Sequence, residues 1–293
     1  MFLIINNFIH HKNREGLEAM LTYLNIDFTY GNEVDVSNDK YKIIYSPANP
    51  IDIHKYPNKF YIFGPHFCVL PSDNNKFDSI NYNQNNLAFL LLSKWCYDIY
   101  KSYDLKINLI PIPFPVNTIK FNEIEGLERS EVLIYFKGRS PDDFQFLMEK
   151  IKNKGITNFR IFSYSHRYDE NEFIQHIQKS KYGIVLDAHE SQGFAIEEMM
   201  SCNLPLLVWS VTNFNQEYGC NYPPYPATTI PYWDERCGEY FHESHEFDNK
   251  FELFLSKLNT YKPRDYVMEN LSVKVCAERF KKLFDVGISQ INA

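Results

Sequence analysis

The sequence predicts an α/β fold built from two successive βαβ domains with parallel sheets. Three observations predict it. Short apolar runs alternate with longer stretches whose apolar residues recur at helical spacing. The alternation stops at Pro111, Pro113 and Pro115 and resumes at Val132. Between Leu186 and Trp209 it is compressed into one unit: strand end, acidic loop with one glycine, helix, Pro205, and a second apolar strand.

Phe2 to Ile5 reads as a buried parallel strand. Arg14 to Leu24 places Leu17, Met20, Leu21 and Leu24 at helical spacing. Phe28 to Tyr30, Lys42 to Tyr45 and Phe60 to Phe63 read as strands; the last ends at Gly64-Pro65-His66. Asn86 to Tyr103 reads as one helix, with Leu87, Leu91, Trp95 and Tyr100 among its apolar positions. Asn108 to Ile110 is a strand stopped by the prolines. The polar, acidic stretch Phe121 to Ser130 reads as the linker. The second half repeats the pattern: strand Val132 to Phe136, helix Asp142 to Asn153, strand Phe159 to Phe162. The helix Asp169 to Lys179 has Asp169 placed to cap it. Strand Tyr182 to Leu186 follows, then the acidic loop and helix, then strand Leu206 to Trp209. Asn213 to Trp233, rich in Asn, Tyr and Pro, reads as a long irregular loop. Glu246 to Leu258 and Pro263 to Phe284 read as amphipathic helices.

The 293 residues are 44% hydrophobic and 16% aromatic, enough to bury a core and too apolar for disorder. A formal net charge of −7 argues against a general nucleic-acid binder, which carries a basic field. It leaves room for a local basic pocket. The six cysteines form no Cys-x-x-Cys pair, so neither a zinc ribbon nor a redox dithiol is indicated. Several lie in apolar stretches and read as reduced core residues, which fits a cytosolic compartment. Met1 to Ile5 is too short for a signal sequence, and the apolar run centred on Ala88 to Leu92 falls far below the roughly 20 residues of a membrane span. The expectation is a soluble, cytoplasmic protein with at most peripheral membrane contact.

In parallel α/β sheets, ligands bind at the carboxyl ends of the strands. A strand, acidic loop and helix at that place suit a polyhydroxylated, phosphate-bearing ligand. Glycine lets the backbone approach, the helix N-terminus attracts phosphate, and carboxylates grip hydroxyls. The histidines show no metal-like partner set, and no metal is expected. Most of the other histidines, among them His10, His11, His242 and His245, read as solvated; His189 is ambiguous.

Glu190-Ser-Gln-Gly-Phe-Ala-Ile-Glu-Glu198, followed by Met-Met-Ser-Cys-Asn-Leu-Pro205, resembles the E-x7-E signature of retaining GT-B glycosyltransferases, family 4 especially. Met199 stands where an alanine is usual and Asn203 where a glycine is usual. Asparagine is the next best residue for a left-handed helix C-terminus, so that exchange is mild. The segment Ile110 to Phe121 resembles the close of that family's first domain. Val132 to Arg139 resembles the first strand of its second domain with the Gly-Arg loop. The resemblance covers most of residues 105–285.

It implies two Rossmann-like domains facing across a cleft: 1–118 on the acceptor side, 119–270 binding the donor, and 271–293 as a helix crossing back to the first domain. It implies a nucleoside diphosphate sugar as donor, a glycan or other hydroxyl acceptor, a retaining outcome, and no further cofactor. Glu198 would hold the ribose hydroxyls. Glu190 would lie by the transferred sugar. Gly193 and Phe194 would offer backbone N–H groups to the diphosphate. Arg139 would neutralise that diphosphate. The lysine usual a few residues later is missing; Ser140-Pro-Asp-Asp143 stands there. Lys137 either replaces it or is a solvated strand-end lysine. His66 either would reach the sugar or acceptor or is a structural loop histidine, and in the loop of Tyr164, His166, Arg167 and Tyr168 an aromatic such as Tyr164, or a backbone carbonyl, would hold the base. Glu197 is expected to face elsewhere. The rival reading is a GT-B-like module that binds sugar nucleotides or glycans without turnover. A second rival, a sugar-nucleotide epimerase, needs further acid/base residues.

Overall fold

The computed structural model describes residues 1–73, 75–78, 80, 85–166 and 168–292. The chain divides into two compact units, Met1–Pro115 with Leu271–Ala293, and Val116–Asn270.

The first unit carries β1 (Phe2–Ile5), α1 (His11–Tyr23), β2 (Phe28–Gly31), β3 (Ile43–Ser46), β4 (Phe60–Phe63), β5 (Leu87–Leu91), α2 (Lys94–Ser102) and β6 (Asn108–Pro111). Its sheet is parallel, in the order β2-β1-β3-β4-β5-β6. β1, β3, β4 and β5 are buried at every position, as the unbroken apolar runs require of strands covered on both faces. Leu3, Ile5, Ile44, Tyr61, Phe63 and Phe89 form the core on one face, closed by Tyr100 of α2.

Asn86 to Tyr103 is not one helix. Its first part is β5, and α2 starts only after Ser93, whose extended backbone (φ −156°, ψ 170°) breaks the run. The continuous apolar stretch Leu87 to Leu92 matches a helical period and a strand equally well, so periodicity alone cannot tell them apart.

The second unit carries β7 (Glu131–Lys137), α3 (Pro141–Asn153), β8 (Phe159–Ser163), α4 (Glu170–Lys179), β9 (Ser180–Asp187), α5 (Phe194–Ser201), β10 (Leu206–Trp209), β11 (Gly238–Phe241), α6 (Phe247–Ser256) and α7 (Pro263–Asn270). Its sheet is also parallel, in the order β11-β10-β9-β7-β8. Ile134, Ile184, Leu207 and Trp209 meet Leu147 and Ile151 of α3 and Phe247, Phe251 and Phe254 of α6 in one core. The caps follow the sequence: the Asp169 carboxylate accepts from Glu172 N at 3.0 Å, and Ser140 Oγ accepts from Asp143 N at 3.0 Å.

The stretch Pro263 to Phe284 breaks at Leu271 and Ser272. α7 belongs to the second unit, whereas α8 (Val273–Asn292) belongs to the first. There Phe280 and Phe284 pack on Phe2 with ring centres 6.1 and 6.4 Å apart. Gly287 admits the close approach to β4: a Cβ there would meet the Phe60 ring at 2.5 Å.

Candidate functional site

In the second sheet the chain leaves β7 for β8 on one side and later lays β9 on the other. The point where strand order reverses is where open α/β sheets bind ligands. Both strands end there on a charge, and Lys137 and Asp187 are register partners. The acidic loop leaves β9 directly from Asp187. Its course is fixed by Glu190 N donating to Thr228 O at 3.0 Å and Ala188 N to Lys137 O at 3.1 Å.

The Lys137 ammonium is in direct contact with the Glu190 carboxylate and lies 4.9 Å from the centre of the Tyr164 ring. Burial pushes Glu190 up, but the charge and hydrogen bond of Lys137, with Asp187 adding to them, leave it below the usual carboxylate range. Burial pulls Lys137 down, and Glu190 and Asp187 more than reverse this. Both groups are therefore charged at neutral pH. Asp187, fully buried, is pushed well above the carboxylate range by burial and then by Glu190.

Gly193 caps α5 in the left-handed region (φ 89°, ψ 47°), where a side chain is strained. Phe194 opens the helix, and Glu197 N donates to Gly193 O at 3.0 Å. Asn203 adopts the left-handed conformation (φ 57°) expected of it at the helix end. Glu198 is buried on α5. Glu197 is also buried and accepts from Gln192 Nε2 at 3.0 Å, while its Oε1 has no hydrogen-bond partner. Burial pushes its carboxyl well above the ordinary range.

A carboxyl raised in the folded state keeps a proton that the unfolded chain gives up near pH 4, so its presence costs stability as pH rises. Glu197→Gln should therefore raise the melting temperature at pH 8 and leave it nearly unchanged at pH 4. A lower melting temperature at pH 8 would contradict this.

Arg139 goes elsewhere. Gly138 (φ 62°) turns the chain after β7, and the Arg139 guanidinium lies 4.8 Å from the Trp209 ring centre. Its Nε donates to Asp143 at 3.1 Å and its NH1 to Trp209 O at 3.2 Å. The stretch that replaces the usual lysine is spent on starting α3, with Ser140 as cap and Pro141 in its first turn.

Of the residues singled out from the sequence, Lys137, Glu190 and Tyr164 come together, and Gly193, Phe194 and Glu198 line the loop and helix that follow. Arg139 sits against β10 and α3. His66 lies in the first unit, where Nε2 accepts from His10 N at 3.4 Å and Phe8 packs edge-on at 5.3 Å. Burial, helped by His10, pulls His66 down to about 4, so its ring is neutral at neutral pH. Tyr164 is 58% exposed. Tyr168 instead packs on Phe162 and Phe173, and Arg167 lies outside the described residues. His189 packs on Phe214 with ring centres 4.1 Å apart and planes tilted by 45°, and is pulled by burial to about 4. His242 is not merely solvated: its Nδ1 bonds Ser210 O at 2.9 Å.

Sequence reasoning missed Asp187, Tyr135, Glu217 and the unpaired Glu197 oxygen. The signal available for Asp187 was a charge closing an otherwise apolar strand.

Among the described residues no group of three His, Cys, Asp or Glu is arranged to hold a metal ion, and no helix is long and apolar enough to cross a membrane. An apolar depression beside α3, lined by Met148, Ile151, Ile156 and Phe159, includes no residue of the acidic loop.

No family model matches the chain, and no characterised protein matches its sequence. Solved structures do resemble it. TarM from S. aureus, crystallised with fondaparinux, alpha-GlcNAc-glycerol and UDP, superposes with a TM-score of 0.53 at 14% identity over 83% of this chain and 55% of its own. The pneumococcal O-GlcNAc transferase GtfA, in complex with UDP and GlcNAc, gives 0.54 at 12% identity over 93% of this chain and 60% of its own. This chain thus spans little more than half the length of those two. WaaG, a glycosyltransferase of lipopolysaccharide biosynthesis, gives 0.50 at 8% identity over 96% of this chain and 98% of its own. With these glycosyltransferases the chain shares the GT-B fold, an α/β fold of two parallel-sheet, Rossmann-like domains.

Proposed function

We propose that the chain is a glycosyltransferase that moves a sugar from a nucleoside diphosphate sugar to a hydroxyl acceptor, with retention and without a metal. The observation that carries this is the Lys137–Glu190 pair at the strand-order reversal, directly ahead of the left-handed Gly193 that opens α5. The carboxylate suits sugar hydroxyls, because it accepts two donors. The lysine suits a diphosphate, and the N–H groups of Gly193 and Phe194 add to it.

In this reading the arriving diphosphate draws Lys137 away from Glu190 and frees Glu190 for the sugar. Glu198 takes the ribose, and the exposed Tyr164 ring offers the base a face. As the sugar–phosphate bond breaks, the cation stabilises the leaving diphosphate, the term that dominates such reactions. The acceptor hydroxyl attacks the oxocarbenium-like carbon from the same face, giving its proton to the departing phosphate oxygen. The similarity to GT-B structures supports the fold under this reading, and the E-x7-E resemblance supports the donor and the stereochemistry.

A thermal-shift screen with UDP-, GDP-, dTDP- and CMP-sugars tests it. One base class should stabilise the protein, by about 2.7 kcal/mol at a hundredfold excess over Kd. No shift with any donor would reject the reading. One observation favours the second reading, a binding module without turnover: the Arg139 guanidinium is engaged by Asp143 and Trp209 O. Donor hydrolysis by wild type but not by Glu190→Gln would select the enzyme; tight binding with no hydrolysis would select the module.

A further inference from the structure

We propose that Asp187 is a positioning residue: its carboxyl, fixed at the end of β9, donates a hydrogen bond from Oδ2 to Glu190 and holds Glu190 against Lys137. The role rests on the glycosyl-transfer reading, but the state of Asp187 that it requires does not.

Asp187 is fully buried, and its surroundings leave it no freedom. Its backbone is pinned on both sides: Thr229 Oγ1 donates to Asp187 O at 3.3 Å and to Ala188 O at 2.7 Å, and Ala188 N donates to Lys137 O. Oδ1 accepts from Ala188 N at 2.7 Å. No N–H or O–H reaches Oδ2. The group it faces is another carboxyl, Glu190. Two buried carboxyls facing each other do not both ionise; one keeps a proton and gives it as a hydrogen bond to the other. Which one keeps it is settled by Lys137, whose ammonium touches Glu190. The proton therefore rests on Asp187, and Oδ2 becomes the donor that the carboxylate of Glu190 needs.

The other titratable groups facing this cluster fit that assignment. Tyr135 from β7 is buried beside Asp187 and pushed well above its ordinary range by burial. Tyr168, near Glu190, Glu198 and Lys137, is pushed up to about 12, chiefly by burial. His189 is neutral. Glu197, below the loop, is pushed up by burial, and so is Glu217, which faces Lys137 and Glu190. Lys137 is the only cation named here, and its contact is with Glu190.

The test uses the full chain and compares wild type with Asp187→Asn and Asp187→Ser, which keep a donor but cannot ionise, and with Asp187→Val, which has neither property. The first readout is the melting temperature against pH, which needs no substrate. Folded wild type holds a proton that the unfolded chain releases near pH 4, so its stability falls as pH rises from there towards the folded value. Asp187→Asn lacks that fall. Its melting temperature should gain on wild type between pH 5 and pH 8, by about 2–4 °C or more. The same trend in Asp187→Ser covers the case where Asn does not fold. A gap that stays flat or shrinks overturns the proposal, whether or not any donor is turned over.

The second readout is hydrolysis of whichever sugar nucleotide stabilises the protein. Asp187→Asn should keep kcat/KM within about threefold, and Asp187→Val should lose about tenfold or more, the loss of a hydrogen bond to a charged group. The acid limb of the Val profile should also move to higher pH, because Glu190 has lost a donor to its charged form. Equal losses in Asn and Val, or an unmoved acid limb, would make Asp187 a packing residue only and overturn the positioning role.

Discussion

Lys137→Met should abolish most of the nucleotide-sugar turnover proposed above and invert the pH dependence of folding contributed by Glu190. The two effects share one cause. In the wild type, Lys137 holds the Glu190 carboxyl below its ordinary range, so the pair adds stability above the unfolded carboxyl value and loses it as pH falls through the folded one. Without the ammonium, the largest opposition to burial is gone, the Asp187 hydrogen bond is the main one left, and the folded value rises above the unfolded one. The variant is then steadiest in acid and weakens as pH rises. Removing one partner of a buried pair costs about 3–5 kcal/mol, and both side chains are largely buried, so most of that should appear at pH 8 and little of it at pH 4. Melting curves at the two pH values measure this. A loss equal at both would mean that Lys137 stabilises by packing alone. On the proposed reading, in which Lys137 is the cation beside the leaving diphosphate, its loss should lower kcat by about a hundredfold or more. An unchanged kcat would remove Lys137 from the phosphate.

On the role that the resemblance implies for Arg139, charge on phosphate, Arg139→Ala should weaken binding of the nucleoside diphosphate far more than binding of the nucleoside. The structure adds a second expected effect. The guanidinium is buried over Trp209 and bonded to its carbonyl and to Asp143, so its loss also leaves a gap beside β10. A stability loss of about 2 kcal/mol or more should accompany the binding defect. Calorimetric titration with the two ligands separates the parts. Equal weakening of both, with the same fall in melting temperature, would make Arg139 a brace for Trp209 that never meets phosphate.

Much of the second unit was readable from residues because its signals are local. Asp169 caps α4 with its own side chain. Asn203 ends α5 in the one backbone region where asparagine is a fair substitute for glycine. The strands of both units are short apolar runs bounded by turns. The errors came where a local pattern is ambiguous. Leu87 to Leu92 fits strand and helix alike, and only its burial between β4 and β6 decides for a strand. Periodicity shows no break at Leu271 and Ser272, which carry no glycine or proline; only the resemblance, by setting 271–293 apart as a returning helix, marked one. The break is set by where α7 and α8 find their separate partners, which a linear pattern does not record.

The candidate site divides the same way. Glu190, Gly193 and Glu198 lie within nine consecutive residues, so their spacing was visible. That Lys137 and not Arg139 meets Glu190 depends on register between β7 and β9 and on the turn at Gly138, both tertiary. Asp187 escaped notice because a carboxyl closing a strand looks solvated until a neighbouring strand buries it.

The first unit is discontinuous: β1 to β6 come first in the chain, and α8 comes only after the whole second unit. During synthesis, the face of the sheet carrying Phe2 and Phe60 must wait for residues about 160 positions behind β6 to leave the ribosome. The second unit is a single contiguous segment and meets no such delay. While the second unit is being made, the nascent chain therefore carries a first sheet whose face at Phe2 and Phe60 still lacks α8. That face is apolar surface open to aggregation over the span of translation between β6 and α8.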